Sequence, residues 1–444
     1  MTQVAEKLHP WVTTARPAAG PRWLQDLRER AAARFTTLGF PTVREEEWRF
    51  TNVAPIANTE FKPTSGKTSI TPSQVDGFLF GAAPHRIVVV NGRFSPELSR
   101  VKGLPPAVRA GSLSGYINGE LQADSELLQR YLGQLADFNN RPFAALNTAF
   151  VDDGAYVHVP DGVVIDEPLE VLFISANDKD QTPTVSYPRC LIVIGDRSQA
   201  RVVETYVGIH SAYLANAVTE VFVGENAILD HYKVQQENVA AFHVASMHMH
   251  AARSASFSSH SFSLGGKFVR NDVVATLDGE GAEVTLNGLY LADGDRLVDN
   301  HTLIDHARAH CPSHEVYKGI LSGKARAIFN GKIIVRQDAQ KTNAKQTNRA
   351  LLLSDDALIN TKPQLEIFAD DVKCTHGAAI GQLDEDAIFY LRTRGLTLAE
   401  ARDMLIHAFA GEILDRVKIE PLKAALESEL YAQLARDLAE VDAA

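Results

Sequence analysis

The chain has 444 residues, 45% of them hydrophobic and 22% charged, which suits a globular protein of two or three domains with a sizeable core. A net charge of -11 argues against a nucleic-acid backbone or an anionic membrane surface as the main partner, because both attract basic patches. Three widely spaced cysteines, Cys190, Cys311 and Cys374, argue against a disulfide framework. The opening MTQVAEKLHPWVTTARP has no apolar core behind a basic end, and no run approaches the roughly 18 apolar residues of a membrane span. The expectation is a cytoplasmic protein.

Pro21 to Gly39 is predicted as a helix with Leu24, Leu27, Ala31 and Leu38 on one stripe. Glu47-Trp48-Arg49-Phe50-Thr51-Asn52 follows, then a Pro/Thr/Ser-rich loop to about Ser73. A strand at Arg86 to Val90 turns at Asn91-Gly92, and a helix is expected over Ser125 to Phe138. Residues 1–149 therefore read as a mixed, largely helical region.

Over 150–381 the pattern becomes short β-rich runs separated by Gly, Asp and Asn. Ala200, Ala227, Ala255, Ala282, Ala325 and Ala357 each stand just before an alternating strand, the first four being 27, 28 and 27 residues apart. A near-constant period holding only β-segments predicts a β-solenoid, in which each coil buries its apolar face by stacking on its neighbours. The later spacings of 43 and 32 suggest inserted loops, and a β-sandwich is the structural alternative. Residues 382–444 read as helical: Asp384 opens a short helix that Gly395 closes, and Thr397-Leu-Ala-Glu400 is a capping box leading into Ala401, Leu405, Ala408, Phe409, Ile413 and Val417. A last helix starts at Pro421 with Leu422, Leu426, Leu430, Leu434 and Leu438 in a row. These helices are expected to cap the solenoid's end, and their apolar stripe either packs internally or docks a partner.

The richest chemistry lies in Thr361 to Gly395, TKPQLEIFADDVKCTHGAAIGQLDEDAIFYLRTRG. Ile367, Phe368 and Val372 are β-formers, which places Cys374 and His376 on the last strand. Side chains two apart share a strand face about 7 Å apart along the backbone, and both are transition-metal ligands. Taken singly, such a Cys is usually a buried small hydrophobe and such a His a structural one.

TKPQLEI, ADDVKCTHGA and DEDAIFYLRTRG, with FNGKI and TNRALLLSDDAL upstream, resemble the C-terminal signature of the SufB/SufD family of the SUF iron–sulfur cluster assembly system, in its SufD branch. The likeness runs from about Glu47 and is densest after Asn330. It implies a mainly β fold with a right-handed parallel β-helix core flanked by helical regions. It also implies a non-enzymatic scaffold that pairs with SufB and with the ATPase SufC, a nascent iron–sulfur cluster forming at the SufB–SufD junction. In that reading His376 is an iron ligand and Cys374 a second ligand or transient sulfur contact. SufC would dock on the C-terminal helices, where Tyr390, Arg394 and Gly395 match the family's contact region, although capping and snorkelling on a short helix also account for them. SufB-type chains carry a Glu after the matching His and a Cys before the matching Leu-Leu segment, where this chain has Gly377 and Asn348, which points to the D-type partner. Clusters usually take four cysteines, so if this chain touches one, something else must supply ligands.

Other motifs carry less. Leu264-Gly265-Gly266-Lys267-Phe268 lacks the first Gly and the Ser/Thr of a phosphate loop, so no ATP site is expected, and no flavin motif accompanies the family's link to reduced flavin. His248 and His250 stand at strand spacing, and His306, His310, Cys311 and His314 imitate zinc spacing, neither with a second pair to complete four ligands. Two rivals stand beside the scaffold. One is a β-helix enzyme acting on carbohydrate, which would need Asp293, Asp295, Asp299 and Asp305 to converge in a groove. The other is a stand-alone homodimeric iron-delivery protein, self-paired through an exposed sheet edge.

Overall fold

The computed structural model describes residues 20–64, 70–81, 84–121, 124–176, 182–209 and 212–442, with side chains described to residue 434. The opening seventeen residues and the side chain of Leu438 lie outside these. Strands alternate between two sheets as the chain advances, and among the described residues one sheet has eleven strands and the other ten. From Arg189–Ile194 to Asn343–Leu352 each strand pairs in parallel with the strand of its own sheet one coil earlier and one coil later. Such a chain is a β-solenoid, with one strand per sheet in every coil.

The registers give the true period. In the ten-stranded sheet Ala200, Leu229, Phe257, Val284, Ser313, Ala344 and Cys374 stand in one row, so each coil takes 27 to 31 residues. The turn alanines are legible but not all equivalent. Ala227, Ala255 and Ala282 precede strands of the ten-stranded sheet, whereas Ala200 lies two positions further along its own strand. Ala325 and Ala357 precede strands of the other sheet, so the spacing of 43 is a change of sheet and the spacing of 32 one coil; neither requires an inserted loop. Small side chains recur at both corners because both corners turn tightly over a filled interior, where Ala227, Ala255, Ala282 and Ala325 are buried.

The two sheets close differently at their two ends. At the first, His85–Val90 extends the ten-stranded sheet in parallel and folds back on Arg93–Phe94 through Asn91-Gly92, whose φ of 52° and 81° is the left-handed pair a tight hairpin needs. Arg109–Ser112 covers the eleven-stranded sheet in antiparallel fashion. At the other end, among the described residues, Leu358–Ile367 and Lys373–Gly381 pair on one side only.

The first described helix, Arg22–Leu38, buries Leu24, Leu27, Ala31 and Phe35, the last in place of the expected Leu38. The helix expected over Ser125 to Phe138 stops at Tyr131. Beyond it the amides of Gly133, Leu135 and Ala136 donate to the Glu220 carboxylate, which also pairs with Arg189, both side chains fully buried. A helix at Pro142–Phe150 was not expected from the sequence. The C-terminal helices correct another expectation. Leu398–Leu414 and Glu420–Asp442 do not cap the solenoid's end but lie along the outer face of the ten-stranded sheet. Ile406, Ala410, Ile413, Leu414, Leu422, Leu426, Leu430 and Leu434 pack there on Tyr232, Phe262, Leu289, Ile320 and Leu351 from successive coils. The buried stripe is thus centred on Ile406, Ala410 and Leu414 rather than on Leu405 and Ala408, and it is used internally.

Candidate functional site

Cys374 and His376 both lie on Lys373–Gly381, the last strand of the ten-stranded sheet. The β-branched and aromatic residues ahead of them divide between the two sheets: Ile367 ends the neighbouring terminal strand, and Val372 packs at the turn into this one. Cys374 stands in register with Ala344, and His376 with Gln346. The Cys374 thiol is half-buried against the interior and burial pushes its pKa up, so the free chain presents a thiol rather than a thiolate. His376 is exposed. Among the described residues no group of three or more His, Cys, Asp or Glu side chains gathers as a metal site. A pair of ligands on an open edge can contribute to a shared site and cannot complete a four-coordinate one alone.

The edge itself is apolar and open. Leu358, Ile367, Phe368 and Ile380 are all exposed there. The Lys373 amide donates inward to Thr342. In a parallel strand the donors alternate sides, so the amides of Cys374, His376, Ala378 and Ile380 point away from the sheet. A row of outward donors and acceptors with flanking apolar side chains is what an added strand requires.

The helix Glu385–Thr393 follows directly, capped by Asp384, whose carboxylate accepts from the amides of Asp386 and Ala387. Tyr390 is exposed, and Arg394 lies over its ring and donates to its hydroxyl at 3.1 Å. Gly395 ends the segment with φ 99°. The expected trio is therefore brought together at the surface, with Phe389, Leu398 and Met404 exposed nearby in sequence.

The other candidates separate. His248 is buried with its pKa pushed down to about 3, His250 meets Asp278 at 3.3 Å, and His306 is buried against the Ser313 hydroxyl. Cys190 and Cys311 are buried in the core with their thiols pushed up by burial. Asp293 pairs with Arg296, Asp305 with Arg336, and Asp295 lies exposed near Lys267, so these carboxylates do not converge. Asp299 belongs to a buried network that sequence reasoning missed. Its carboxylate meets Arg270, His301 and Thr51 while Arg270 also binds Asp272, donates to the Glu47 carbonyl and lies 4.3 Å from the Trp48 ring. His301 in turn meets the Glu47 carboxylate at 3.2 Å. Burial and Arg270 both oppose protonation of His301, yet Asp299 and Glu47 outweigh them and hold its pKa above the usual histidine range. The Glu47–Asn52 motif thus fastens the N-terminal region to the eleven-stranded sheet, beside a cavity of about 270 Å³ lined by Trp48, Arg141, Arg270, His301 and Lys332.

Comparison with known proteins gives the family. The family model described as "SUF system FeS cluster assembly, SufBD core domain" matches residues 173–409, and "SufBD protein N-terminal region" matches residues 17–171. The chain belongs to the SufBD family. An iron–sulfur cluster assembly SufBD family protein of Synechocystis is 36% identical over 91% of this chain and 89% of its own length. The iron–sulfur cluster assembly protein SufD of Escherichia coli is 32% identical over 87% of each. The chloroplastic protein ABCI7 of Arabidopsis thaliana is 30% identical over 93% of this chain and 86% of its own length. Iron–sulfur cluster assembly is therefore the process to which this family member belongs, and the core-domain match covers the solenoid from residue 173 and runs on into the C-terminal helices. Among the described residues no helix is long and apolar enough to cross a membrane.

Proposed function

We propose that this chain is the non-enzymatic, D-type scaffold subunit of a cytoplasmic SUF complex, and that a nascent iron–sulfur cluster is its cargo. The open end of the solenoid receives SufB edge to edge. His376 supplies a neutral ring nitrogen to iron, and Cys374 a second ligand or a transient sulfur contact once binding displaces its proton. The remaining ligands come from SufB. The helical region 382–444 docks the ATPase SufC through Tyr390, Arg394 and Gly395, while 1–149 and the 150–381 core hold the edge in place. The observation that carries this reading is the edge strand Lys373–Gly381, one-sided in its pairing and bearing both candidate ligands, with no third gathered there among the described residues.

The test is anaerobic reconstitution with purified SufB and SufC, comparing cluster absorbance for the wild-type chain, His376→Ala and Cys374→Ala. Size exclusion checks assembly. Loss of cluster with the complex intact supports a ligand at this junction. Unchanged yield from both variants would show that the Cys-x-His strand is structural and that the chain's contribution lies in holding SufC. The same edge suits a second copy of the chain, so the free chain's mass is measured alongside. A homodimer that SufB fails to displace would favour the stand-alone iron-delivery reading.

A further inference from the structure

Beneath His376 lies a row of inward side chains: Glu315, Gln346 and His376 occupy matching positions on three successive strands of the ten-stranded sheet. In-register parallel neighbours share a face and stand about 4.8 Å apart. Gln346 points into the solenoid, because its Nε2 donates to Glu315 at 2.7 Å. On the opposite sheet a Cβ at Gly331 would lie only 2.3 Å from that same Nε2, so the glycine leaves room for the amide. His376 therefore rises from the strand on the side of Gln346.

Gln346 is 2% exposed and Glu315 1%. With Nε2 engaged below, the amide is held in one orientation and its Oε1 faces away from Glu315. That oxygen is buried and receives no hydrogen bond with the side chains as they stand, the exposed His376 ring included. Buried acceptors are seldom left unpaired. Along the ten-stranded sheet the neighbouring inward positions offer no donor: Ala344 and Ala378 are apolar, and Asn348 gives its Nδ2 to Thr361 at 3.0 Å.

We propose that Gln346 is a positioning residue for His376. With the exposed His376 ring turned inward, the Gln346 Oε1 accepts the N–H of one ring nitrogen, which fixes the tautomer and turns the lone pair of the other nitrogen toward the open edge. An imidazole that donates through one nitrogen and binds through the other is the usual arrangement at metal sites, and the outer partner contributes 10–100-fold in metal affinity. Glu315 acts one step further in, by holding the Gln346 amide. The inference rests on His376 being a ligand, as proposed above.

The test combines ring ¹⁵N NMR of the full chain, labelled at histidine, with ferrous iron retention by the reconstituted SufB–SufC complex. Gln346→Met removes the acceptor while keeping the row filled. Gly331→Ala displaces the amide without altering it, so one variant that fails to fold does not remove the test. The wild-type His376 ring is expected in a single tautomer, and in both variants as a tautomer mixture with roughly 10–100-fold weaker iron retention. A ring spectrum in Gln346→Met identical to wild type overturns the proposal. If His376→Ala abolishes the cluster while the ring spectrum ignores Gln346, only this inference falls; if His376→Ala leaves cluster yield unchanged, the ligand reading falls and takes this one with it.

Discussion

Replacing Arg270 by Met should loosen the N-terminal region from the solenoid. Arg270 is 2% exposed and is the cation shared by Asp272 and Asp299, the latter completely buried. Burial alone would raise both carboxyl pKa values, but Arg270 together with His301, and at Asp299 also Thr51, outweighs it and holds both below the usual range. Removing the guanidinium leaves buried carboxylates short of a counter-ion, which costs about 3–5 kcal/mol, most of it desolvation no longer offset. The contact with Trp48 is worth about a further 0.5–2 kcal/mol. Urea unfolding followed by tryptophan fluorescence measures the loss, and limited proteolysis shows whether the segment around Trp48 is released first. The triple variant Arg270→Met, Asp272→Asn, Asp299→Asn removes the stranded charges and should recover most of the stability. A loss below about 1 kcal/mol for Arg270→Met, or no recovery in the triple variant, refutes the reasoning.

Further outcomes follow from the same geometry. The raised pKa of His301 makes its stabilisation complete below about 6.5 and progressively lost as pH rises through its folded value, a slope that His301→Asn should abolish in urea titrations. Glu47, Asp272 and Asp299 have folded pKa values below their unfolded ones, so their contribution is present above about 4.5 and lost on further acidification. Ala378→Pro removes an outward donor of the edge strand and spares the inward ladder. It should prevent co-elution with SufB while shifting the chain's own stability by less than about 1 kcal/mol, and retained co-elution would count against edge pairing. Arg394→Glu reverses an exposed charge on the helical surface; calorimetry with SufC should show binding at least tenfold weaker, with cluster-site residues untouched.

The β-solenoid was legible because its turns repeat, and the edge because β-formers lead into a Cys-x-His pair. Register was less legible, since small residues occupy both corners of each coil and a one-dimensional spacing does not say which sheet a turn belongs to. Pro142–Phe150 escaped notice for a related reason: every residue from Pro142 to Ala149 is buried, so the helix has no polar face and no 3.6-residue alternation to read. The contact of Glu47 with His301 spans 254 positions, and pattern within a window does not reach that far. Gln346 carries no motif at all; only its place under His376 gives it meaning.

A stack whose units touch only their neighbours frays from its free end, one layer at a time. This chain leaves one end of its stack free and then doubles back, laying its C-terminal helices across Leu351, Ile320, Leu289, Phe262 and Tyr232. Peeling the terminal layers would strip the helices from the layers beneath them, so those layers open together or not at all. The helices act as a batten nailed across several planks. An end can thus stay unfilled, ready for another strand, without being the place where the protein begins to unravel.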